Sequence, residues 1–457
     1  MFGRIKKIHF IGLGGIGISG MAELLHTLGF KITGSDLYHS EITDNLETAG
    51  IRFFEGHHPD NINDCDMVVY SSAVKPDNPE ITAAHNRNIP VIRRAEMLGE
   101  LLKVAETSIA VSGTHGKTTT SSMIGTMLTS AHRDPTMVIG GIVRSLGTNI
   151  RRGQGEIIVV EADEFDRSFL SLRPTVAVIT NIDLEHLDCY RNLDELNQAF
   201  SLFANAVPFY GRVVACLDDS NVQALLPELQ RPVTTYGLAP QADIRARKAT
   251  FSEIDTKFEL ITPGNEPQQV RLQVPGEHNV KNALAAVAVG MEMEVPLPEI
   301  IEGLANFTGV SRRFEITETI NDVIFVDDYA HHPSEVAAAI QAARHGWDRR
   351  IVVIFQPHLF TRTRDFHEDF ARSFLASDLL VVTDIYPARE DPIEGITGEL
   401  IASDSKRFGH KRVTYVQDIN DVPEIVAGLI QVGDIVITMG AGNVTQYNSL
   451  IREAYRS

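Results

Sequence analysis

Cysteine is scarce: Cys65, Cys189 and Cys216 are the only three in 457 residues, odd in number and far apart. That pattern excludes a disulfide framework and a cysteine-built zinc cluster, and it suits a reducing cytoplasm, where the chain is expected to work. Long apolar runs are missing too, so no bilayer-crossing helix and no membrane partner are predicted. Met1 is followed almost at once by the strand-like run Lys7-Ile8-His9-Phe10-Ile11, which leaves no secretory pattern. Basic charge is short: 41 Lys and Arg stand against 60 Asp and Glu, a formal net charge of −19. A broad nucleic-acid surface is thereby excluded, since such surfaces are basic. An anionic substrate would need a local basic pocket and a metal ion.

What is present is an alternation of strand-like and helix-like segments, the pattern of an α/β protein with largely parallel sheets. A chain of this length predicts about three domains, each large enough for its own core. We place them at residues 1–104, 105–312 and 313–457, a Rossmann-like domain, a central P-loop ATPase-type domain and a second Rossmann-like α/β domain. Strands are predicted near residues 7–11, 31–35, 67–71 and 90–92 in the first block, and at 108–111, 156–160 and 176–180 in the second. The third block offers 323–326, 350–354, 379–382, 412–415 and 434–437. Residues 240–275, with alternating β-prone positions and a Thr262-Pro263-Gly264-Asn265 turn, read as a local antiparallel insert.

The run Gly113-Thr114-His115-Gly116-Lys117-Thr118-Thr119 follows one of these strands and opens a helix-compatible stretch through Thr129. Glycines there let backbone N–H groups approach a phosphate, and a helix N-terminus favours negative charge. Lys117 can reach the β- and γ-phosphates and the Thr118 hydroxyl can sit on Mg²⁺, so this segment predicts nucleoside triphosphate binding. Lys117 itself reads as a ligand contact on a surface loop. A second glycine turn, Gly12-Leu13-Gly14-Gly15-Ile16-Gly17, follows the first strand, with Asp36 about 20 residues on. Three readings stay open for it: a dinucleotide, the diphosphate of a UDP-sugar, or close helix–strand packing alone. Two acidic segments, Glu161-Ala162-Asp163-Glu164 and Asn181-Ile182-Asp183-Leu184-Glu185-His186, sit at strand ends, where ligands bind in open α/β sheets. Glu161 is a candidate Mg²⁺ ligand. His186 is either a metal ligand or a surface or capping histidine, since Mg²⁺ prefers oxygen.

Taken in order, these stretches resemble the Mur ligases. The resemblance is carried by residues 9–20, 113–120, 161–164 and 180–186, then by Pro275-Gly276-Glu277-His278-Asn279-Val280-Lys281-Asn282-Ala283. Asp327-Asp328-Tyr329-Ala330-His331-His332-Pro333, residues 355–363 beginning Phe355-Gln356-Pro357-His358, and Gly440-Ala441-Gly442 complete it. It spans essentially the whole chain. It implies a UDP-binding first domain, with Gly14, Gly15 and Gly17 at the diphosphate and Asp36, His58 and Ser71 near uridine. It implies ATP bound by residues 113–119, with His278 and Asn282 toward adenine, Arg313 at the phosphates and Asp328 holding the nucleotide. Thr118, Glu161 and His186 would hold the metal, Mg²⁺ with Mn²⁺ as substitute. Tyr329, His331, His358 and Arg362 match positions directed at the amino acid, although each histidine alone is also consistent with a hydrogen-bonded loop residue. The chain departs from the pattern at Phe165, Ala330 and Leu359; at the last an arginine is common, and Arg364 is the expected substitute.

Within the family the resemblance implies ligation of L-alanine to the lactyl carboxylate of UDP-N-acetylmuramate through an acyl phosphate, by a monomer or homodimer. Lys117, His186, Arg313 and His331 would be its catalytic residues. Rival readings are ligation of a tripeptide to the same nucleotide sugar, an NAD-dependent oxidoreductase built on the first glycine turn, and a nucleotide-dependent regulatory protein.

Overall fold

The computed structural model describes residues 3–71, 73–184, 189–388 and 390–456. The chain divides into two compact units, one of Met1–Arg245, Ile261–Glu266 and Lys281–Asn306, the other of Ala246–Leu260, Pro267–Val280 and Phe307–Ser457.

The first unit holds two sheets. Five parallel strands, β1 (Lys7–Ile11), β2 (Lys31–Asp36), β3 (Arg52–Glu55), β4 (Met67–Tyr70) and β5 (Val91–Arg93), lie in the order β3-β2-β1-β4-β5. The other sheet is built on β6 (Thr107–Ser112), β7 (Thr136–Val143), β8 (Thr148–Arg151), β9 (Ile157–Glu161), β10 (Val176–Ile179), β11 (Arg212–Cys216) and β12 (Val233–Gly237), in the order β12-β11-β10-β6-β9-β7-β8. Its pairs are parallel except for the β7–β8 edge. Central β6 carries the apolar run Ile109-Ala110-Val111 and is almost wholly buried, the expected character of a strand covered on both faces. Its register sets up the site: Val111 pairs with Glu161 of β9 and Ser112 with Ile179 of β10, so the three strands end side by side.

The chain continues along β13 (Ile244–Ser252), and the second unit carries the antiparallel hairpin of β14 (Asp255–Ile261) and β15 (Gln268–Leu272), in agreement with the insert predicted over 240–275. Six further strands, β16 (Glu315–Ile320), β17 (Val323–Asp328), β18 (Ile351–Phe355), β19 (Leu379–Thr383), β20 (Val413–Val416) and β21 (Ile435–Met439), form the third sheet, ordered β16-β17-β21-β18-β19-β20. Alternate residues of β17 and β18 enter opposite cores: Val326, Val353 and Phe355 pack on one face, Val323, Phe325, Val352 and Ile354 on the other. Each such side chain contributes about 1.5–3 kcal/mol on burial. Both faces being covered explains why these strands read as unbroken apolar runs.

The predicted strands fall within a residue or two of those observed. Strands β3, β7, β8, β11, β12 and β16 were not among those predicted. β16 (Glu-Ile-Thr-Glu-Thr-Ile) is mostly polar and is antiparallel to β17, as an exposed edge allows.

Candidate functional site

The loop after β6 is shaped by two glycines with positive φ, Gly113 at +133° and Gly116 at +81°. A Cβ on Gly113 would stand 2.0 Å from Thr180 Oγ1 and 2.9 Å from the Asn181 carbonyl oxygen, and one on Gly116 would stand 2.9 Å from Asn282 Oδ1. The strand-end residues after β10 therefore form the outer wall of the loop. Asn181 Oδ1 accepts from the His115 amide at 2.8 Å, the Asn181 amide group donates to the His115 carbonyl at 3.0 Å, and Thr114 Oγ1 accepts from the Asp183 amide at 2.8 Å. Helix Lys117–Ser130 then begins, with Gly116 as its N-cap and Thr118 and Thr119 in its first turn. Its N-terminal amides and the loop form an anion cradle. Gly113→Ala is expected to lower stability by about 2–4 kcal/mol, since overpacking and a strained φ act together, and to abolish nucleotide binding. Thermal unfolding with and without ATP checks both.

Lys117 is not the exposed loop residue that sequence suggests. Its side chain is 12% exposed and its ammonium donates to Glu164 Oε2 at 2.7 Å and to the Gly113 carbonyl at 2.8 Å. Burial works against the charge, but Glu164, Asp163 and Glu161 together outweigh it and hold Lys117 above the usual lysine range. Glu164 is 1% exposed and was not among the sequence-predicted site residues; position within an acidic run does not say which carboxylate turns inward.

Glu161, the last residue of β9, accepts from Thr118 Oγ1 at 3.0 Å and from the Gly140 amide at 2.8 Å. Burial pushes its carboxyl above the ordinary range, against the pull of Lys117. A half-buried carboxylate beside a hydroxyl at the mouth of an anion cradle is a hard-oxygen donor set, which fits Mg²⁺. His186 lies outside the described residues. Asn282 lies against the phosphate loop and accepts from Thr120 Oγ1 at 3.1 Å.

At the first glycine turn Gly15 is the N-cap of helix Ile16–Thr27, and the Gly14 amide donates to Asp36 Oδ2 at 2.7 Å. Asp36 thus holds the turn through one oxygen and accepts from its own neighbour Leu37 through the other. A Cβ on Gly17 would stand 3.4 Å from the Arg94 guanidinium, a cation that the sequence motif does not reveal. Ser71 lies under the same turn, its Cβ 3.2 Å from where a Gly12 side chain would begin. His58 is 68% exposed and caps a short helical turn by accepting from the Asp60 amide.

In the second unit, the segment after β17 gathers four of the predicted residues. Tyr329 lies under the guanidinium groups of Arg312 and Arg313, at 4.9 and 5.2 Å. Arg313 also donates to Glu335 at 3.3 Å. His331 Nδ1 is 2.9 Å from the Tyr329 carbonyl, which only accepts, so Nδ1 carries a hydrogen; it also lies 3.3 Å from Glu335 Oε2. His331 and His358 meet edge to face at 6.2 Å, and His358 stacks on Tyr386 at 5.8 Å. Asp328 is spoken for structurally: its two oxygens accept from the Phe314 and Ala330 amides at 2.7 Å each. Burial nevertheless pushes its carboxyl up to about 6, against the Arg313 charge.

Leu359 caps helix Phe360–Ser373 at φ +72°, a conformation costly for a residue with a side chain. It is pinned there by its amide on the Tyr386 carbonyl and by Thr363 on its own carbonyl. Arg362 stands in the first turn of that helix. Arg364, two positions on and so on another face, is half-exposed and is paired bidentately with Asp365 at 2.7 and 3.0 Å. His278 sits beside Gly276, where a Cβ would be 2.6 Å from its ring.

Known proteins share this arrangement. Residues 7–105 match the Mur ligase family catalytic domain, 111–290 the Mur ligase middle domain and 312–442 the Mur ligase glutamate ligase domain. A UDP-N-acetylmuramate–L-alanine ligase of Geotalea uraniireducens is 50% identical over 453 residues, covering 99% of each chain. The crystal structure of a UDP-N-acetylmuramate-alanine ligase from Thermotoga maritima superposes with a TM-score of 0.82 at 31% identity, over 98% of this chain and 99% of that one. A murein peptide ligase from Psychrobacter arcticus shares the fold, with a TM-score of 0.72 at 22% identity over 98% of both chains. With family models matched to all three parts of the chain and relatives alike from end to end, the chain belongs to the Mur ligase family.

Proposed function

We propose that the chain joins L-alanine to the lactyl carboxylate of UDP-N-acetylmuramate at the expense of ATP, in peptidoglycan precursor synthesis. The observation that carries this reading is the full-length likeness, at half of all positions, to a curated ligase of that name. The chemistry of the residues is consistent with it. A lactyl carboxylate oxygen attacks the γ-phosphorus and ADP leaves; the alanine nitrogen then attacks the acyl carbon, and inorganic phosphate departs. Mg²⁺, when bound, neutralises triphosphate charge that would repel the incoming carboxylate. Glu161 and Thr118 would hold it, with His186 as a further proposed ligand. The loop amides and Lys117 are assigned to the phosphates, and Arg313 to the transferring phosphoryl group. Asn282 and His278 are assigned to adenine and Asp328 to the nucleotide.

The amino acid needs one group to hold its carboxylate and another to take an amine proton. A guanidinium suits the first, because it clamps a carboxylate through paired N–H bonds. Arg362 is assigned that role, bordered by Tyr329 and His358. His331 is assigned the proton. At the other end of the substrate the turn bearing Gly14, Gly15 and Gly17 takes the diphosphate, with Asp36, His58 and Ser71 toward uridine. The same reading places the enzyme in the cytoplasm as a monomer or homodimer.

Phosphate release with ATP, Mg²⁺ and UDP-N-acetylmuramate, run separately with L-alanine and with the murein tripeptide, tests the assignment. Release that requires L-alanine, with one alanyl residue gained by the product, is expected; release with the tripeptide alone would transfer the chain to the peptide ligases. Arg362→Ala is expected to raise KM for L-alanine by about 10- to 100-fold, the loss of a charge-assisted pair, while KM for ATP stays within about twofold. Equal rises in both would remove Arg362 from the alanine pocket.

A further inference from the structure

A buried carboxylate in the first unit is used by none of the steps above. Glu80 lies in the first turn of helix Pro79–Asn86 and is 0% exposed. Its Oε2 accepts from Ser35 Oγ at 2.6 Å and lies 3.4 Å from His57 Nδ1 and 3.6 Å from His9 Nε2. Its Oε1 accepts from Asn61 Nδ2 at 2.6 Å and from the His58 amide at 3.3 Å. His9 and Ser35 are themselves fully buried. Burial of Glu80 disfavours its charge, yet the nearby His9 ring and the bonds from Ser35 and Asn61 hold its carboxyl below the ordinary range.

An isolated buried carboxylate is so costly that it persists only with a full set of donors, and an apolar residue would serve packing as well. The origin of these donors is informative. Ser35 is the next-to-last residue of β2, His57 and His58 follow β3, and Asn61 follows them, all at the carboxyl edge of the sheet, where α/β proteins bind ligands. Ser35 is the pivot. Its hydroxyl goes to Glu80, while its carbonyl accepts the Gly12 and Leu13 amides at 2.8 and 3.0 Å. Asn61 also donates to the Gly56 carbonyl, and the Gly56 amide to the Asp36 carbonyl, so the same carboxylate ties down the backbone beside Asp36.

We infer that Glu80 is a positioning residue for the nucleotide-sugar end of the substrate: through Ser35 and Asn61 it fixes the diphosphate turn and the β2 and β3 end loops in one geometry. The inference rests on the proposed function, which assigns that turn to a diphosphate. Glu80→Gln and Ser35→Ala test it by steady-state kinetics and by calorimetric titration with UDP alone. Each variant is expected to raise KM for UDP-N-acetylmuramate and Kd for UDP by about tenfold, the equivalent of one hydrogen bond to a charged group, with KM for ATP within about twofold and kcat within about threefold. An unchanged UDP affinity in either folded variant overturns the inference, as does an equal rise in KM for all three substrates, which would mark a role in stability alone. Should Glu80→Gln fail to fold, Ser35→Ala gives the same discrimination. Wild-type protein that neither binds UDP nor turns over the nucleotide sugar would refute the functional assignment itself; wild-type turnover with unshifted variants would refute only the role of Glu80.

Discussion

Lys117→Ala is expected to remove ligase turnover, by about 10³-fold or more, because the transferring phosphoryl group loses a cation placed for it. It should also cost stability. Glu164 would be left 1% exposed without its ammonium partner, and breaking a buried pair from one side typically costs about 3–5 kcal/mol. The two effects separate in a second variant. Lys117→Ala combined with Glu164→Gln removes the stranded charge, so most of the lost stability should return while turnover stays absent. Thermal unfolding and phosphate release on the wild type and both variants decide the matter. Near-normal turnover in Lys117→Ala would sink the triphosphate assignment. Stability that fails to recover in the double variant would show that Lys117 acts on the fold through the Gly113 and Thr114 carbonyls instead.

The second large effect belongs to Glu161→Gln. The amide keeps an acceptor for Thr118 and Gly140 but gives up the charge that suits a divalent ion, so turnover should fall by about 100-fold at low Mg²⁺. Stability should hold or rise, since burial already disfavours the ionised form of this carboxyl. Raising Mg²⁺ or substituting Mn²⁺ should recover part of the loss. Turnover within a factor of about ten across a Mg²⁺ titration would take Glu161 out of the metal site.

Legibility followed distance along the chain. Residues 113–119 could be read because the cradle is a local structure whose strand, glycines, lysine and helix start are contiguous. Glu161 was legible as the polar end of an apolar strand, and the parallel register placed it beside Thr118 as that reasoning requires. Glu164 and Glu80 were not, since no local pattern says that their side chains turn inward to Lys117 and Ser35, 47 and 45 positions away. In sequence Asn78-Pro79-Glu80 looks like an ordinary helix start, with a capping Asn, Pro at the first position and an acid in the first turn, and it is one. That the acid also points inward depends on β1, β2 and the loop after β3. Leu359 shows the same limit on the backbone: its composition raised a question about carboxylate binding, while its left-handed φ emerges only from the bridge between His358 and Tyr386.

The contact between Lys117 and Glu164 has a kinetic side. On the proposed assignment a γ-phosphate and the Glu164 carboxylate would be rival anions for one ammonium, so nucleotide arrival would exchange partners instead of creating a new pair. Ground-state affinity is thereby held below what the cradle alone would give, and the ammonium has a waiting partner when ADP departs. Such an internal competitor favours turnover over retention, the balance an enzyme needs when it must empty its site after every cycle.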